Sequence, residues 1–104
     1  MAKYAFIYHG GSMPESEEEG KKIMAAWGAW MQGMGASLVD GGGPFGMSKT
    51  VQSDGSTSDD GGANPASGYS LVDVADGDAA LAHAKTCPIL DGGGSVEICE
   101  IMDM

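Results

Sequence analysis

The fold is decided by residues 68–75, Gly68-Tyr69-Ser70-Leu71-Val72-Asp73-Val74-Ala75. Tyrosine, leucine and valine dominate this run, which predicts a central strand covered on at least part of both faces. Asp76 suits an N-cap and opens a predicted helix, Ala79 to Lys85, which Cys87-Pro88 ends because proline disfavours helical geometry in the residue before it. Imperfect alternation over Ser95 to Ile101 predicts a half-exposed strand. The second half of the chain is therefore strand–helix–strand.

The first half repeats this order. Alternating apolar residues predict a strand from Tyr4 that ends at His9, with its aromatic side chains on one face. A 3.6-residue apolar period predicts a helix from Glu15 to Met34, and Ser37 to Asp40 follow as a short strand. Trp27 and Trp30 lie one turn apart on this helix, which favours a place in the core over a stacking platform for a ligand.

Two serines are candidates for the start of this helix. Ser12 with Glu15, or Ser16 with Glu19, would each form a capping box. The run of acids suits the positive end of the helix dipole, which favours a solvated first turn over a metal site.

Length and charge exclude several functions. The chain has 104 residues, which corresponds to one domain, residues 1–104, and its net charge of −10 argues against nucleic acid and anionic membranes as partners. No apolar run is long enough to span a membrane, and the N-terminus lacks a signal peptide, so we expect a cytoplasmic protein. Cys87 and Cys99 match no common metal motif and are expected to be reduced. No cofactor or metal is predicted.

A polar excursion separates the two halves. Residues 43–67 are predicted to be an insertion, with Asp54-Gly55 as the turn of a small hairpin. The glycine-rich segment Gly41 to Gly46 is expected to be a loop. It leads into a strand-like run, Ser48 to Val51, instead of a helix, which disfavours a phosphate site.

Two consecutive strand–helix–strand units predict a ferredoxin-like β-α-β-β-α-β sandwich of the α+β class. Both helices would cover one face of a four-stranded sheet and leave the other face partly bare. The aromatic or the aliphatic side of the strand from Tyr4 to His9 would contribute to that bare face. Because a bare apolar face needs a cover, we expect a homodimer formed sheet to sheet.

Several segments resemble the YCII-related proteins, and most closely the branch that includes the DGPF-domain proteins. The most specific are Gly68-Tyr69, Cys87-Pro88 and Gly93-Gly94-Ser95-Val96-Glu97. Trp27-x-x-Trp30 and Gly43-Pro44-Phe45-Gly46 also contribute, and the resemblance covers nearly the whole chain. It implies a dimeric α/β-barrel with a ferredoxin-like subunit.

The resemblance also implies a kind of chemistry. Some members of the family are proposed to be small-molecule enzymes with a His–Asp pair, whose histidine lies on the first helix. Here the helix from Glu15 to Met34 contains no histidine, so that pair does not carry over. The Asp-Gly-Pro-Phe signature is absent as such. Asp59-Asp60-Gly61-Gly62 precedes the Gly-Tyr strand, and Gly43-Pro44-Phe45 lies earlier.

Three candidate catalytic residues converge in the predicted topology. The first and second strands are parallel, with the strand of residues 68–75 antiparallel between them, so His9, Asp40 and Tyr69 share one edge. They supply an imidazole that titrates near neutrality, a carboxylate that orients it and a phenol donor. A histidine bonded for structural reasons is the competing interpretation. The candidate ligand-binding residues are Phe45, Lys49 and Ser95.

Three functional hypotheses follow. The first is a small-molecule enzyme or binding domain, with a pocket that contains His9 and Asp40. The second is a non-catalytic homodimeric interaction or regulatory module, in which Phe45 or Met47 fills this edge. The third is a metal-assisted enzyme that uses His9 with Asp40, although the sequence offers no convincing third ligand.

Overall fold

The computed structural model describes residues 2–11 and 14–103, and these form an α+β fold. A four-stranded sheet carries two helices, and a separate two-stranded hairpin lies between the halves of the chain. The elements in chain order are β1 (Ala2–His9), α1 (Glu17–Met34), β2 (Leu38–Pro44), β3 (Thr50–Val51), β4 (Thr57–Ser58), β5 (Ala66–Val74), α2 (Gly77–Ala84) and β6 (Ser95–Glu100). No helix in these two ranges is both long and apolar enough to cross a membrane.

The strand order in the main sheet is β2-β5-β1-β6, and each neighbouring pair is antiparallel. Tyr4 stands opposite Val72 on β5, and Phe6 stands opposite Ile98 on β6. β5 therefore lies between β1 and β2, which are parallel to each other. This arrangement is the one predicted for the first three long strands.

One face of the sheet is covered by both helices and holds the core. The aromatic side chains of β1 are buried on this face with Val72 and Val74 of β5, and Phe6 and Val72 are fully inaccessible to solvent. Ala5, Ile7 and His9 point to the opposite side, because side chains alternate along a strand. The predicted division of β1 into two faces is confirmed, and the bare face carries its aliphatic side. We call that uncovered side of the sheet the open face.

The start of α1 follows the second of the two predicted capping patterns. The Ser16 hydroxyl accepts a hydrogen bond from the Glu19 N–H at 3.1 Å, and the Glu19 carboxylate accepts one from the Glu15 N–H at 3.0 Å. The alternative cap, Ser12, lies outside the described residues. Because Ser16 is the N-cap, the helix begins two residues later than predicted, at Glu17.

The tryptophans of α1 attach the helix to the sheet. Trp27 meets the ring of Tyr8 edge-on with centroids 5.0 Å apart, and Trp30 stacks on Phe6 at 6.2 Å. The Trp30 indole N–H also donates to the backbone oxygen of His83, at 3.0 Å, which ties α1 to α2. Both tryptophans therefore pack against the core, as the helical period predicted.

The largest difference from the prediction concerns β2. This strand continues to Pro44 instead of ending at Asp40, so the glycines at 41–43 belong to an edge strand and not to a loop. Its ladder with β5 shifts register on both sides of Asp40. Gly42 has φ +68°, and a Cβ there would collide with the carbonyl oxygen of Tyr69. Glycine is therefore required for β2 to approach β5 this closely.

The insertion is shorter than expected for the same reason. With β2 extended to Pro44 and β5 starting at Ala66, the insertion comprises residues 45–65 instead of 43–67. The predicted hairpin is present: Gly55 has φ +89°, and the N–H of Gln52 donates to the oxygen of Ser56 at 2.7 Å. β3 keeps only the last two residues of the strand-like run predicted before it.

Two hydrogen bonds between buried polar groups join the central strands, and their removal should destabilise the protein to different extents. The Tyr8 hydroxyl donates to Ser70 Oγ at 2.7 Å, and Ser70 Oγ donates to the oxygen of Gly41 at 2.8 Å. Tyr8→Phe removes one hydrogen bond and should lower the free energy of unfolding by about 1 kcal/mol. Ser70→Ala leaves the buried Tyr8 hydroxyl without its partner and should lower it by about 1–3 kcal/mol. Urea unfolding of the two variants measures the difference. Equal costs, or a larger cost for Tyr8→Phe, would contradict this role of Ser70.

Candidate functional site

A cleft lies between α1 and the edge strand β2, on the helix-covered side of the sheet. Its volume is about 600 Å³. The helix contributes Trp27, Gly28 and Met31 to the wall, and the sheet contributes Tyr8 together with the backbone of residues 41–43. No lining residue among those the structure describes carries a formal charge at neutral pH. The cleft is therefore an apolar space with two aromatic walls.

The cleft exists because glycines stand where side chains would close it. Apart from the adjoining backbone, Gly28 on α1 and Gly43 on β2 each have no atom within 4 Å of the position that a Cβ would take. In the interior of a helix a glycine costs about 1 kcal/mol relative to alanine. The unfilled space next to Gly28 is thus maintained at a cost to helix stability, which is the pattern of a binding site more than of a packed core.

The phenol groups of the two tyrosines that line the cleft already make hydrogen bonds within the protein. The Tyr8 hydroxyl donates to Ser70 Oγ, and burial raises the pKa of Tyr8 to about 12. The Asp40 carboxylate, which accepts a hydrogen bond from the Tyr69 hydroxyl, raises the pKa of Tyr69 as well. Both phenols therefore stay protonated near neutral pH. Each phenol already gives its one O–H hydrogen to a protein acceptor, so it can accept a hydrogen bond from a ligand but cannot remove a proton from it.

The candidate residue His9 lies on the open face, at the end of β1. Its Nε2 is 2.9 Å from Glu97 Oε1 on β6, and its Nδ1 is 3.0 Å from the backbone oxygen of Asn64 in the insertion. The hydrogen bond to Glu97 is the largest cause of a raised pKa for His9, and the same bond lowers the pKa of Glu97. The histidine is thus held by two hydrogen bonds, and when protonated it forms an ion pair with Glu97.

Cys99 extends this polar cluster. Its Sγ lies 3.6 Å from Glu97 Oε2 and donates to it. Partial burial raises the pKa of the Cys99 thiol, and the nearby negative charge of Glu97 raises it further. The thiol is therefore protonated near neutral pH and is not an activated nucleophile. In residues 2–11 and 14–103 no group of three or more His, Cys, Asp or Glu side chains is arranged to hold a metal ion.

The structure joins two of the three predicted catalytic residues and separates the third. The Tyr69 hydroxyl donates to Asp40 Oδ2 at 3.1 Å, and Asp40 Oδ1 accepts the Gly42 N–H at 2.8 Å. The expected partnership of His9 with Asp40 was wrong, because His9 pairs with Glu97. Tyr69 borders the cleft at the edge of the sheet, but His9 and Asp40 are not among the described lining residues.

The predicted ligand-binding residues are also dispersed. Phe45 stacks on Tyr69 with centroids 5.8 Å apart, at the neck of the insertion. Lys49 lies in the insertion, 3.8 Å from Asp59, and both side chains are exposed. Ser95 is the β6 neighbour of His9 and is exposed. Phe45 therefore touches a residue that lines the cleft.

Sequence reasoning missed Glu97 and the glycine-lined cleft. The signal for Glu97 was its place two residues after Ser95, on the same side of an alternating strand, but its pairing with His9 requires the register of β1 with β6. The signal for the cleft was Gly28, a helix-breaking residue between two tryptophan-bearing turns.

The hydrogen bond between His9 and Glu97 predicts the direction in which the pKa of His9 is shifted. His9 should titrate above the ordinary imidazole pKa of 6.5, and Glu97→Gln should lower its pKa by removing the carboxylate that favours the charged ring. The stabilisation from this pair is then complete below the ordinary pKa and is lost as pH rises through the raised value. NMR titration of the His9 ring measures both.

Asp40→Asn is the matched control for this titration, because Asp40 bonds Tyr69 and not His9. It should leave the His9 curve unchanged. A His9 curve that responds to Asp40→Asn and ignores Glu97→Gln would contradict the pairing seen in the structure.

Comparison with known proteins identifies no relative of this chain. No protein-family model, curated protein or solved structure matches the chain.

Proposed function

We propose that this protein is a small-molecule-binding domain whose ligand lies in the cleft between α1 and β2. The single observation that carries the proposal is an apolar cavity of about 600 Å³ bounded by aromatic rings and glycines. This volume is within the usual range of about 300–1,000 Å³ for small-molecule sites, which are mostly apolar. The first of the three sequence hypotheses is thereby kept, with a different set of residues at its centre.

The lining favours a flat, uncharged ligand. Trp27 and Tyr8 meet edge to face, so a planar molecule can contact a ring face and a ring edge at once. The thioether of Met31 adapts to aromatic surfaces. An anion would find no countercharge in the described lining and would be repelled by a net charge of −10.

The geometry supports binding more strongly than acid–base catalysis. The titratable side chains among the described lining residues are Tyr8 and Tyr69, and both keep their protons near neutral pH. The imidazole that could exchange protons, His9, lies on the other side of the sheet with Glu97. If a reaction occurs in the cleft, the ligand itself must supply the group that ionises.

The proposal includes the subunit architecture expected from the sequence. The strand order β2-β5-β1-β6, with helices following β1 and β5, supports a ferredoxin-like sandwich interrupted by the insertion. The same order supports the resemblance to YCII-related proteins. A cytoplasmic location, suggested by the sequence alone, remains part of the proposal.

A second candidate function is homodimerisation through the open face. Ala5, Ile7 and Leu71 form an aliphatic centre on a face that neither helix covers. Lys3 on this face is positive, whereas Glu97 and Asp73 are negative, so a second copy could present complementary charges. The fold is also a thin slab, 18 Å across its shortest dimension, which is the shape of one half of a stacked pair. The partner proposed here is a second copy of this chain.

Filling the cleft should weaken ligand binding without loss of stability. Gly28→Leu places a side chain in the cleft and removes a helical glycine, so the affinity for the neutral fluorescent probe N-phenyl-1-naphthylamine should fall about tenfold or more. Fluorescence titration measures the affinity, and thermal unfolding checks that the variant is folded.

Gly33→Leu is the matched control for Gly28→Leu. Gly33 lies on the same helix with no atom within 4 Å of its Cβ position, and it is not among the cleft-lining residues. It should gain the same helix propensity and keep full affinity. Equal probe affinity in both variants would show that the probe does not bind in the cleft.

A charge in the centre of the open face should give a monomer. Leu71→Lys would bury an unpaired ammonium between two sheets, whereas Leu81→Lys alters an exposed leucine on α2 and serves as the control. Sedimentation velocity should show dimers for the wild type and for Leu81→Lys, and monomers for Leu71→Lys. The dimer should tighten with added salt, because each copy carries −10. A wild-type monomer at high concentration and high salt would contradict homodimerisation.

A further inference from the structure

The insertion is fastened to the sheet at a small number of described contacts. At its start, the Phe45 N–H donates to the oxygen of Ser67 at 2.9 Å, and the Phe45 ring stacks on Tyr69. At its end, the backbone oxygen of Asn64 accepts a hydrogen bond from the His9 ring. His9 is thus the sheet residue that holds the second end of the insertion by a side chain.

Both partners of the His9 ring are acceptors. Glu97 Oε1 is a carboxylate oxygen, and the Asn64 atom is a carbonyl oxygen, so each ring nitrogen must carry a hydrogen for both bonds to form. Only the imidazolium has two N–H groups. A neutral ring keeps one N–H, and the carboxylate is the stronger acceptor, so the bond to Asn64 is the one lost.

No other described group around His9 would hold Asn64 in place of the ring. From β6, Glu97 faces the ring, with Cys99 hydrogen-bonded behind it and the uncharged Ser95 as strand neighbour. The β5 neighbour is Ala66, and farther along the same face of β5 is Tyr69, whose hydroxyl is committed to Asp40. The insertion contributes the backbone oxygens of Asn64 and Pro65.

The insertion begins and ends at the cleft. Pro44, the last residue of β2, and Ser67, the second residue of β5, both line the cleft between α1 and β2. The Phe45–Ser67 hydrogen bond links these two positions. Ser67 is three residues from Asn64, so a change in how Asn64 is held acts on the rim of the cleft through a short segment.

We propose that protonated His9 latches the insertion to the sheet and that loss of the proton releases its Asn64 end, so that binding in the cleft depends on pH. This regulation rests on the function proposed above. The latch is closed at low pH and opens as pH rises through the titration of His9. The His9 side chain is 13% exposed, so the ring can exchange its proton with solvent while remaining packed.

Amide hydrogen exchange of residues 59–66 tests the latch without any ligand. Measured from about pH 5 to about pH 9 and corrected for intrinsic exchange, the protection of this segment should fall about tenfold with a midpoint above the ordinary imidazole pKa. Glu97→Gln should move the midpoint to lower pH. His9→Gln should remove the transition, and His83→Gln, on α2, should leave it intact. A transition that persists in His9→Gln would overturn the latch.

Probe binding over the same pH range tests the link to the cleft. The affinity for N-phenyl-1-naphthylamine should change severalfold with the midpoint seen in exchange, and His9→Gln should abolish the change. An exchange transition with constant affinity would overturn the regulatory proposal while leaving the binding function intact. No binding at any pH would instead refute the binding function and with it the regulation, whereas the exchange result would still report on the latch.

Discussion

The packing of the aromatic face of β1 against the tryptophans of α1 is the contact on which the rest of the molecule depends. Tyr8 meets Trp27 at 5.0 Å, and Phe6 stacks on Trp30 at 6.2 Å. Burial of such large apolar surfaces dominates the stability of small domains. β1 is also hydrogen-bonded on both sides, to β5 and to β6, so this one strand orders the sheet and carries the first helix.

The same strand separates the cleft from the open face. Tyr8 contributes to the cleft beneath α1, whereas its neighbours Ile7 and His9 belong to the open face. Because side chains alternate, a shift of one residue in the register of β1 would exchange these surfaces. The cleft, the open face and the contact of His9 with the insertion are therefore all set by one register. A chain of 104 residues has few secondary-structure elements, so one strand contributes to several surfaces.

The sequence predicted those features that depend on local pattern. Alternation along β1, the strand run around Val72, the serine cap of α1 and the hairpin turn at Asp54-Gly55 follow from side-chain periodicity and backbone preference, and the structure contains each of them. The extension of β2 was not predictable in this way, because consecutive glycines favour a loop until a neighbouring strand supplies the hydrogen bonds.

The candidate site was harder to predict because its parts meet only in three dimensions. His9 and Glu97 are 88 positions apart, and their contact depends on the pairing of the first strand with the last. The cleft is defined by absent side chains, and a glycine in a sequence does not reveal which neighbours surround it. The contact of Asp40 with Tyr69 could be predicted, since both residues were expected at one edge of the sheet. That His9 does not join them could be known only from the register of β1 with β6.

The most direct test of the central claim is the position of a bound molecule relative to the two faces of β1. Intermolecular nuclear Overhauser effects from bound N-phenyl-1-naphthylamine report which protein protons lie close to it. A ligand in the cleft between α1 and β2 gives contacts to the Trp27 ring and to the methyl group of Met31. Contacts to the methyl groups of Ile7 and Leu71 would place the ligand on the open face and contradict the assignment of the cleft.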